Sequence, residues 1–173
     1  MSFNFQFRFA EGRKEVDQLA RFLLLQPFGY SYYEDWVDRT REQLLLGYKS
    51  CILAFSDGAL VGDLVYQPHK EFPRIRELKN MRVDPRLHGR YFGMFMLRQA
   101  EKENPSDFDA IICDTRSDRP DVLGMLTLVG YEILLKAPLY DRNVEDIVLI
   151  RALERTPDGI FAPIKNDLVA KAA

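Results

Sequence analysis

The sequence predicts a mixed α/β fold (α+β) with a central mixed sheet of about seven strands. Three observations predict it. Phenylalanines alternate with polar residues near the N-terminus, apolar residues recur at helical spacing in several later segments, and Asp57-Gly58 separates two apolar runs as in a β-hairpin. We expect the order β-α-α-β-β-β-α-β-α-β-β. The 173 residues predict one domain over 1–154 and a tail over 155–173, which ends in a short helix in one interpretation.

The first half of this order ends with the hairpin. Phe5, Phe7 and Phe9 alternate with polar residues, which is the period of a half-buried strand. Helical spacing of apolar residues before Pro27 and before Gly47 predicts two helices. The predicted elements are a strand over residues 3–9, helices over 16–24 and 33–44, and hairpin strands over 50–55 and 59–66.

The second half contains one amphipathic helix between strands. Phe92, Phe95, Met96 and Ala100 fall on one helical stripe, which predicts that all four are buried. The predicted elements are strands over residues 74–83, 108–115, 130–134 and 146–153, with helices over 88–103 and 120–128.

Composition excludes several classes of function. With 24 basic and 26 acidic residues, the chain has no polyanion-binding signature, so we expect neither nucleic acid nor a membrane as a partner. The apolar runs are too short for a membrane span and the N-terminus does not resemble a signal peptide, which indicates a cytoplasmic protein. His69 and His88 are not spaced as metal ligands, so we predict no metal. Cys51 and Cys113 are predicted to be free, buried thiols.

Residues 77–93 read as a strand, a basic loop with glycine, and the start of a helix. The first amides of a helix lack intrahelical partners and carry partial positive charge, so they attract anions. Arg86, His88 and Arg90 add positive charge to the same turn. The loop lacks the Gly-Lys-Ser/Thr ending of a P-loop and the Gly-x-Gly-x-x-Gly of a dinucleotide fold. The segment therefore predicts a phosphate site of another kind.

Two motifs, together with the element order, resemble the GCN5-related N-acetyltransferase (GNAT) superfamily over residues 3–153. The first is Glu77-Leu78 followed by Val83-x-Pro85, a basic residue and glycines to Gly93. The second is Leu128-Val129-Gly130-Tyr131. The resemblance implies splayed fourth and fifth strands. It also implies transfer of an acetyl group from acetyl-CoA, a co-substrate, directly to a small-molecule or peptide amine.

The resemblance also implies where the cofactor lies. A bulge near Asn80 would separate the two strands, pantetheine would pair with main chain near Met81 and Val83, and a backbone N–H there would polarise the thioester. The implied cofactor-binding residues are Met81, Arg82, Val83, Leu87, His88, Gly89, Arg90, Tyr91, Phe92, Gly93 and Arg119.

Catalysis needs a base, because an amine with a pKa near 10 is protonated at neutral pH. Glu77 matches the position of the glutamate base in the histone-modifying branch of the family. The alternative is that Glu77 pairs with Arg76 or Lys79 at the sheet surface. Tyr140 is a candidate acid, on the expectation that the connection over residues 135–144 folds back over the thioester.

The acceptor is expected beside an aromatic loop. The implied substrate residues are Phe28, Tyr30 and Tyr32. Tyr33 and Trp36 are either further pocket residues or, from their helical spacing, core residues. We interpret His69 as a surface residue of a proline-flanked loop, with an acceptor-site role as the alternative.

Departures from the family pattern leave other functions open. Tyr91 stands where glycine or alanine is usual, His88 where arginine is usual, Leu126 where the frequent tyrosine acid falls, and Arg119 where asparagine is frequent. The alternatives are a catalytically weakened acyl-CoA-binding or regulatory module, and a synthase that uses a longer acyl donor. The tail from Thr156 docks on a second subunit in a homodimer, packs on its own domain, or frays.

Overall fold

A computed structural model of the chain describes residues 4–27 and 31–153. These residues form a seven-stranded mixed sheet and four α-helices, which confirms the predicted mixed α/β class and element order. The elements are β1 (Phe5–Phe9), α1 (Gly12–Leu24), α2 (Tyr33–Leu45), β2 (Ser50–Ser56), β3 (Ala59–Pro68), β4 (Ile75–Val83), α3 (Phe92–Lys102), β5 (Ala110–Arg116), α4 (Pro120–Leu128), β6 (Glu132–Asp141) and β7 (Val144–Ala152). The sheet order is β1-β2-β3-β4-β5-β7-β6.

The described residues divide into two compact units. The first contains the residues up to Gln67 together with Lys79–Glu103, and the second contains Pro68–Leu78 together with the residues from Asn104 onward. Strand β4 contributes to both units and passes from one to the other after Leu78. The prediction of a single domain over residues 1–154 stays a prediction.

In the first unit, β1, β2 and β3 form an antiparallel meander. Asp57 (φ 50°) and Gly58 (φ 81°) both occupy the left-handed region, as a two-residue hairpin turn of the primed type requires. The hairpin prediction is therefore confirmed. The core on one face of this meander consists of Leu19, Ala20, Phe22, Leu23, Tyr33, Val37, Cys51, Leu53, Phe55 and Val65.

Helix α3 begins four residues later than the sequence predicts. Pro85–Leu87 forms a 3-10 turn, and Gly89 (φ 74°) and Tyr91 (φ 64°) take left-handed conformations that no α-helix contains. The buried stripe of α3 also differs from the prediction. Phe95 is 54 % exposed, and Leu97 is buried in its place, so the expectation for Phe95 is wrong.

The second unit is built around β5. Strand β5 pairs in parallel with β4 over Ile75–Glu77 and antiparallel with β7, which pairs with β6. Strand β6 continues to Asp141, so the segment over residues 135–141 is strand and not the connecting loop that the sequence predicts. Its core contains Ile75, Ala110, Ile112, Val148 and Ile150.

Both cysteines are buried and free, as predicted. No helix among the described residues is both long and apolar enough to cross a membrane.

Candidate functional site

The turn between β4 and α3 is held by Asp84. Its backbone N–H donates to Val61 O at 2.7 Å, and its Oδ1 accepts from Arg86 N at 2.9 Å, which caps the 3-10 turn. The Arg86 guanidinium lies 2.6 Å from Asp84 Oδ2 and holds the pKa of that carboxyl below its usual range. Because Asp84 balances the charge of Arg86, His88 and Arg90 remain as the basic side chains of this turn for an anion.

His88 folds back onto the strand that precedes it. Its Nε2 lies 3.0 Å from Val83 O, which fits a tautomer that donates from this nitrogen to the carbonyl. The side chains of His88 and Arg90 are both exposed. Both side chains are therefore accessible at the surface of the turn.

The first amides of α3 precede its first intrahelical hydrogen bond. The first intrahelical bond runs from Phe95 N to Tyr91 O at 3.0 Å, so the amides of Phe92, Gly93 and Met94 precede it. Phe92 is 3 % exposed, and its ring packs on Phe5 with centroids 4.9 Å apart, which fixes the helix end. This end has the donor set and the partial charge that suit a phosphate group.

Tyr91 is the residue at which side-chain bulk matters. It is the N-cap of α3, its φ is 64°, and its side chain is 65 % exposed. A non-glycine residue in this conformation is strained by about 1–2 kcal/mol. The ring of Tyr91 is therefore not packed in the core at the start of α3.

Arg82 points into the protein and not toward the turn. It is 6 % exposed, donates to Gln26 O and, through Nε, to Asn80 Oδ1 at 3.2 Å, and stacks over the Tyr33 ring at 5.1 Å. Asn80 in turn donates to the buried Asp63. Any contact of Arg82 with a ligand at β4 is therefore made by its backbone. Asp63 is not among the site residues that the sequence predicts, and Asn80 is predicted only as the place of a bulge.

In the second unit, Tyr140 lies among carboxylates. Its hydroxyl donates to Asp114 Oδ1 at 3.3 Å, and its backbone N–H donates to Asp146 Oδ2 at 3.3 Å. Although the residue is 60 % exposed, desolvation raises the pKa of Tyr140 above its usual value, and Asp114, Glu77 and Asp146 raise it further. Tyr140 is therefore neutral over the physiological pH range, and it interacts with the partly buried Glu77 on β4.

Comparisons with known proteins find a match through structure alone. No protein-family model matches the sequence, and no curated protein matches it. A Desulfovibrio desulfuricans protein assigned to the GNAT family of acetyltransferases superimposes with a TM-score of 0.76 at 13 % identity, covering 87 % of this chain and 100 % of its own.

The chain has the fold of the GNAT acetyltransferases. Two further structures with the GNAT fold are of proteins with a bound cofactor. A Salmonella typhimurium protein solved with acetyl-CoA matches with a TM-score of 0.69 at 13 % identity, over 88 % of this chain and 96 % of that one. An aminoglycoside 6'-N-acetyltransferase complexed with coenzyme A matches with a TM-score of 0.71 at 18 % identity, over 87 % and 99 %.

Two positions where this chain departs from the GNAT pattern lie in or beside α4. Arg119 is the N-cap of α4, and its guanidinium lies 2.9 Å from Asp121 Oδ2. This contact lowers the pKa of Asp121 to about 2 and raises that of Arg119. Leu126 cannot act as an acid, and at 3 % exposure its side chain packs in the interior.

The aromatic residues of the expected acceptor loop have different environments. Phe28 and Tyr30 lie outside the described residues. Tyr32 is 78 % exposed and is the left-handed N-cap of α2 (φ 62°). Tyr33 is buried and donates to Leu23 O at 3.1 Å, which confirms the core interpretation of this residue. Trp36 is partly buried and stacks on Tyr33 with ring centroids 5.8 Å apart.

His69 has a local structural contact in the second unit. Its Nδ1 accepts from Glu71 N at 3.2 Å and from Phe72 N at 3.3 Å. The ring therefore organises its own loop, as a structural residue does. Among the described residues, no group of three or more His, Cys, Asp or Glu side chains is arranged to hold a metal ion.

Proposed function

We propose that this protein is an N-acetyltransferase that moves an acetyl group from acetyl-CoA directly to an amine. One observation carries the proposal. Strand β4 leads through a capped 3-10 turn and two left-handed residues, Gly89 and Tyr91, to a helix start whose first amides have no intrahelical partner, within the GNAT fold. Two solved proteins of this fold contain acetyl-CoA or coenzyme A.

The donor set of this segment fits an acyl-CoA. The amides of Phe92 and Gly93 and the exposed side chains of His88 and Arg90 suit the pyrophosphate. Gly89 has no neighbouring atom within 4 Å of the position that a Cβ would take, so its surroundings are open. The backbone near Met81 and Val83 would hold the pantetheine arm. The cofactor supplies the acetyl thioester when bound.

Glu77 is the proposed base. A primary amine has a pKa near 10.4 and must lose a proton before it attacks a thioester. Glu77 is partly buried on β4 and interacts electrostatically with Tyr140, so it lies in a polar part of its unit. The carboxylate would accept the amine proton.

Tyr140 acts in this proposal as a neutral hydrogen-bond donor. Its raised pKa makes it a weak acid, whereas a thiol with a pKa of about 8.5 leaves readily as thiolate. Proton donation by Tyr140 is therefore not required for the leaving group. Its hydroxyl keeps its proton, donates to Asp114 and orients that carboxylate.

Thermal unfolding with ligands tests the proposal first. A ligand at 100 times its dissociation constant adds about 2.7 kcal/mol to stability, so acetyl-CoA should raise the Tm measurably. No shift with acetyl-CoA, CoA or longer acyl-CoAs contradicts the enzyme proposal. A larger shift with longer acyl-CoAs favours the longer donor. Binding without thiol release across an amine panel favours a weakened binding module.

Substitution of Glu77 tests the base. Glu77→Gln should lower kcat at least tenfold at pH 7 while the acetyl-CoA Kd is unchanged, and the loss should shrink toward pH 10 as the amine deprotonates by itself. Glu132→Gln, at an exposed position at the start of β6, is the matched control. A kcat that Glu77→Gln leaves unchanged returns Glu77 to a structural role.

A further inference from the structure

A carboxyl group is buried at the centre of the first unit. Asp63 lies in the middle of β3, opposite Leu53 of β2, and is fully buried. Its Oδ2 accepts from Asn80 Nδ2 at 2.5 Å, while its Oδ1 has no hydrogen-bond partner among the described residues. A buried polar atom without a partner is costly, so this position calls for an explanation.

Asp63 begins a chain of contacts that crosses two strands and reaches the ends of two helices. Asn80 accepts from Arg82 Nε at 3.2 Å, so its amide lies between a carboxyl group and a guanidinium. Arg82 donates to Gln26 O just after α1 and stacks over Tyr33 at the start of α2. We call Asp63, Asn80 and Arg82 the relay. It joins β3 and β4 to the ends of α1 and α2.

The relay encloses the part of β4 that the proposed function assigns to the cofactor. Asn80 and Arg82 are the two neighbours of Met81 in the strand. On the adjacent strand, Val61 accepts from Asp84 N at the end of β4 and lies two residues, roughly 7 Å, from Asp63. Asp63 therefore contacts one end of this segment through Asn80 and lies near the residue that holds the other end.

Asp63 is the group of the relay that titrates near neutral pH. Burial raises its pKa to about 7, against the opposing effects of the Asn80 hydrogen bond and the Arg82 charge. Within residues 4–27 and 31–153, Tyr33 and Cys51 also interact electrostatically with Asp63, and burial raises the pKa of both. The residues that α1 adds to the same core, Leu19 among them, are apolar.

We propose that Asp63 is a positioning residue for the cofactor: through Asn80 and Arg82 it holds the strand around Met81, and binding of the anionic acyl-CoA favours its protonated form. This inference rests on the proposed function. A polyanion that binds in the same unit repels a carboxylate and leaves a neutral carboxyl group unaffected. By linkage, binding then takes up a proton, and affinity falls as pH rises through the titration of Asp63.

The test compares the pH dependence of binding in two proteins. If binding raises the pKa of Asp63 by one unit, the Kd of acetyl-CoA, measured by calorimetry, should rise about sevenfold more in the wild type than in Asp63→Asn between pH 6 and 8.5. Other titrating groups, the ligand's 3'-phosphate among them, are the same in both proteins and cancel in the comparison. Asp38→Asn, exposed on α2, is the matched control and should follow the wild type. An identical pH dependence in wild type and Asp63→Asn overturns the inference.

A second measurement does not depend on Asp63→Asn folding. The measurement uses His88→Gln with 3'-dephospho-CoA, which removes the histidine of the turn and the ligand's phosphate monoester. Calorimetry in buffers of different ionisation enthalpy should then detect uptake of about half a proton per ligand near pH 7.5. No uptake overturns the inference. Wild-type protein that binds no acyl-CoA at any pH instead contradicts the proposed function, so the two failures are distinguishable.

Discussion

The free energy of unfolding of Asp63→Asn, measured relative to that of the wild type, should increase as the pH rises. The carboxyl group is fully buried, and burial raises its pKa from 3.8 to about 7. Below pH 3.8 the group is protonated in both the folded and the unfolded chain. Between pH 3.8 and 7 the unfolded chain loses the proton and the folded chain keeps it, so wild-type stability falls as the pH rises. Above pH 7 the group is ionised in both chains, so Asp63 no longer makes wild-type stability depend on pH.

The magnitude follows from the width of this window. Each unit of difference in pKa corresponds to about 1.4 kcal/mol, so the full effect of Asp63 is on the order of 4 kcal/mol. Between pH 5 and 8 the wild type should lose about 2–3 kcal/mol that Asp63→Asn keeps. The new amide nitrogen also lacks an acceptor, which costs about 1–3 kcal/mol at every pH. The variant is therefore expected to be about as stable as the wild type at pH 5 and more stable than it by about 1–3 kcal/mol at pH 8.

Urea unfolding at pH 5, 6, 7 and 8 measures this difference directly. The contributions of all other titrating groups cancel in the comparison of Asp63→Asn with wild type, provided that the two slopes m agree. A stability difference that does not change with pH refutes the reasoning. A difference that moves the other way shows instead that Arg82 holds Asp63 ionised in the folded protein.

Two further substitutions have expected outcomes that unfolding experiments can check. Gly62→Ala places a Cβ 2.9 Å from Arg82 O and should lower the free energy of unfolding by about 1–3 kcal/mol, whereas Gly124→Ala, with no atom within 4 Å inside α4, should raise it by about 0.5–1 kcal/mol. Tyr91→Gly should stabilise by about 1 kcal/mol because it relieves a left-handed residue. Tyr32→Gly, the control, should give the same gain in stability. If only Tyr91→Gly binds acetyl-CoA more tightly than the wild type, the Tyr91 ring obstructs the cofactor; if the affinities of all three proteins are equal, the ring is turned away from it.

Local patterns predicted most of the fold. The alternation of Phe5, Phe7 and Phe9 gave β1, and Asp57-Gly58 gave the turn between β2 and β3, because both signals are contained in a few neighbouring residues. The start of α3 could not be read in the same way. Helical spacing continues through residues 88–91, but the left-handed backbone of Gly89 and Tyr91 interrupts the helix there. Propensity alone does not predict a tyrosine in that conformation.

The contiguous part of the candidate site could also be predicted from the sequence, whereas the contacts between distant residues could not. The segment from β4 to α3 is contiguous, so its motif was visible in the sequence. The relay joins Asp63 to Asn80 across two strands, and Tyr140 meets Asp114 from 26 residues away, so both depend on strand register. A signal was nevertheless present for each. Asp63 and Asp114 are single acidic residues inside apolar strands, where a charge needs a partner or a function.

The two experiments on Asp63 together decide what its burial is for. A carboxyl group whose ionisation destabilises the protein at neutral pH could be replaced with a gain in stability, so its presence there is a disadvantage unless it contributes to activity. If Asp63→Asn both becomes more stable relative to wild type as the pH rises and loses the pH dependence of acetyl-CoA binding, Asp63 lowers the stability of the protein and positions β4 for the cofactor. If only the stability changes, the relay serves the fold, since Asn80 then satisfies Arg82 without any coupling to the cofactor.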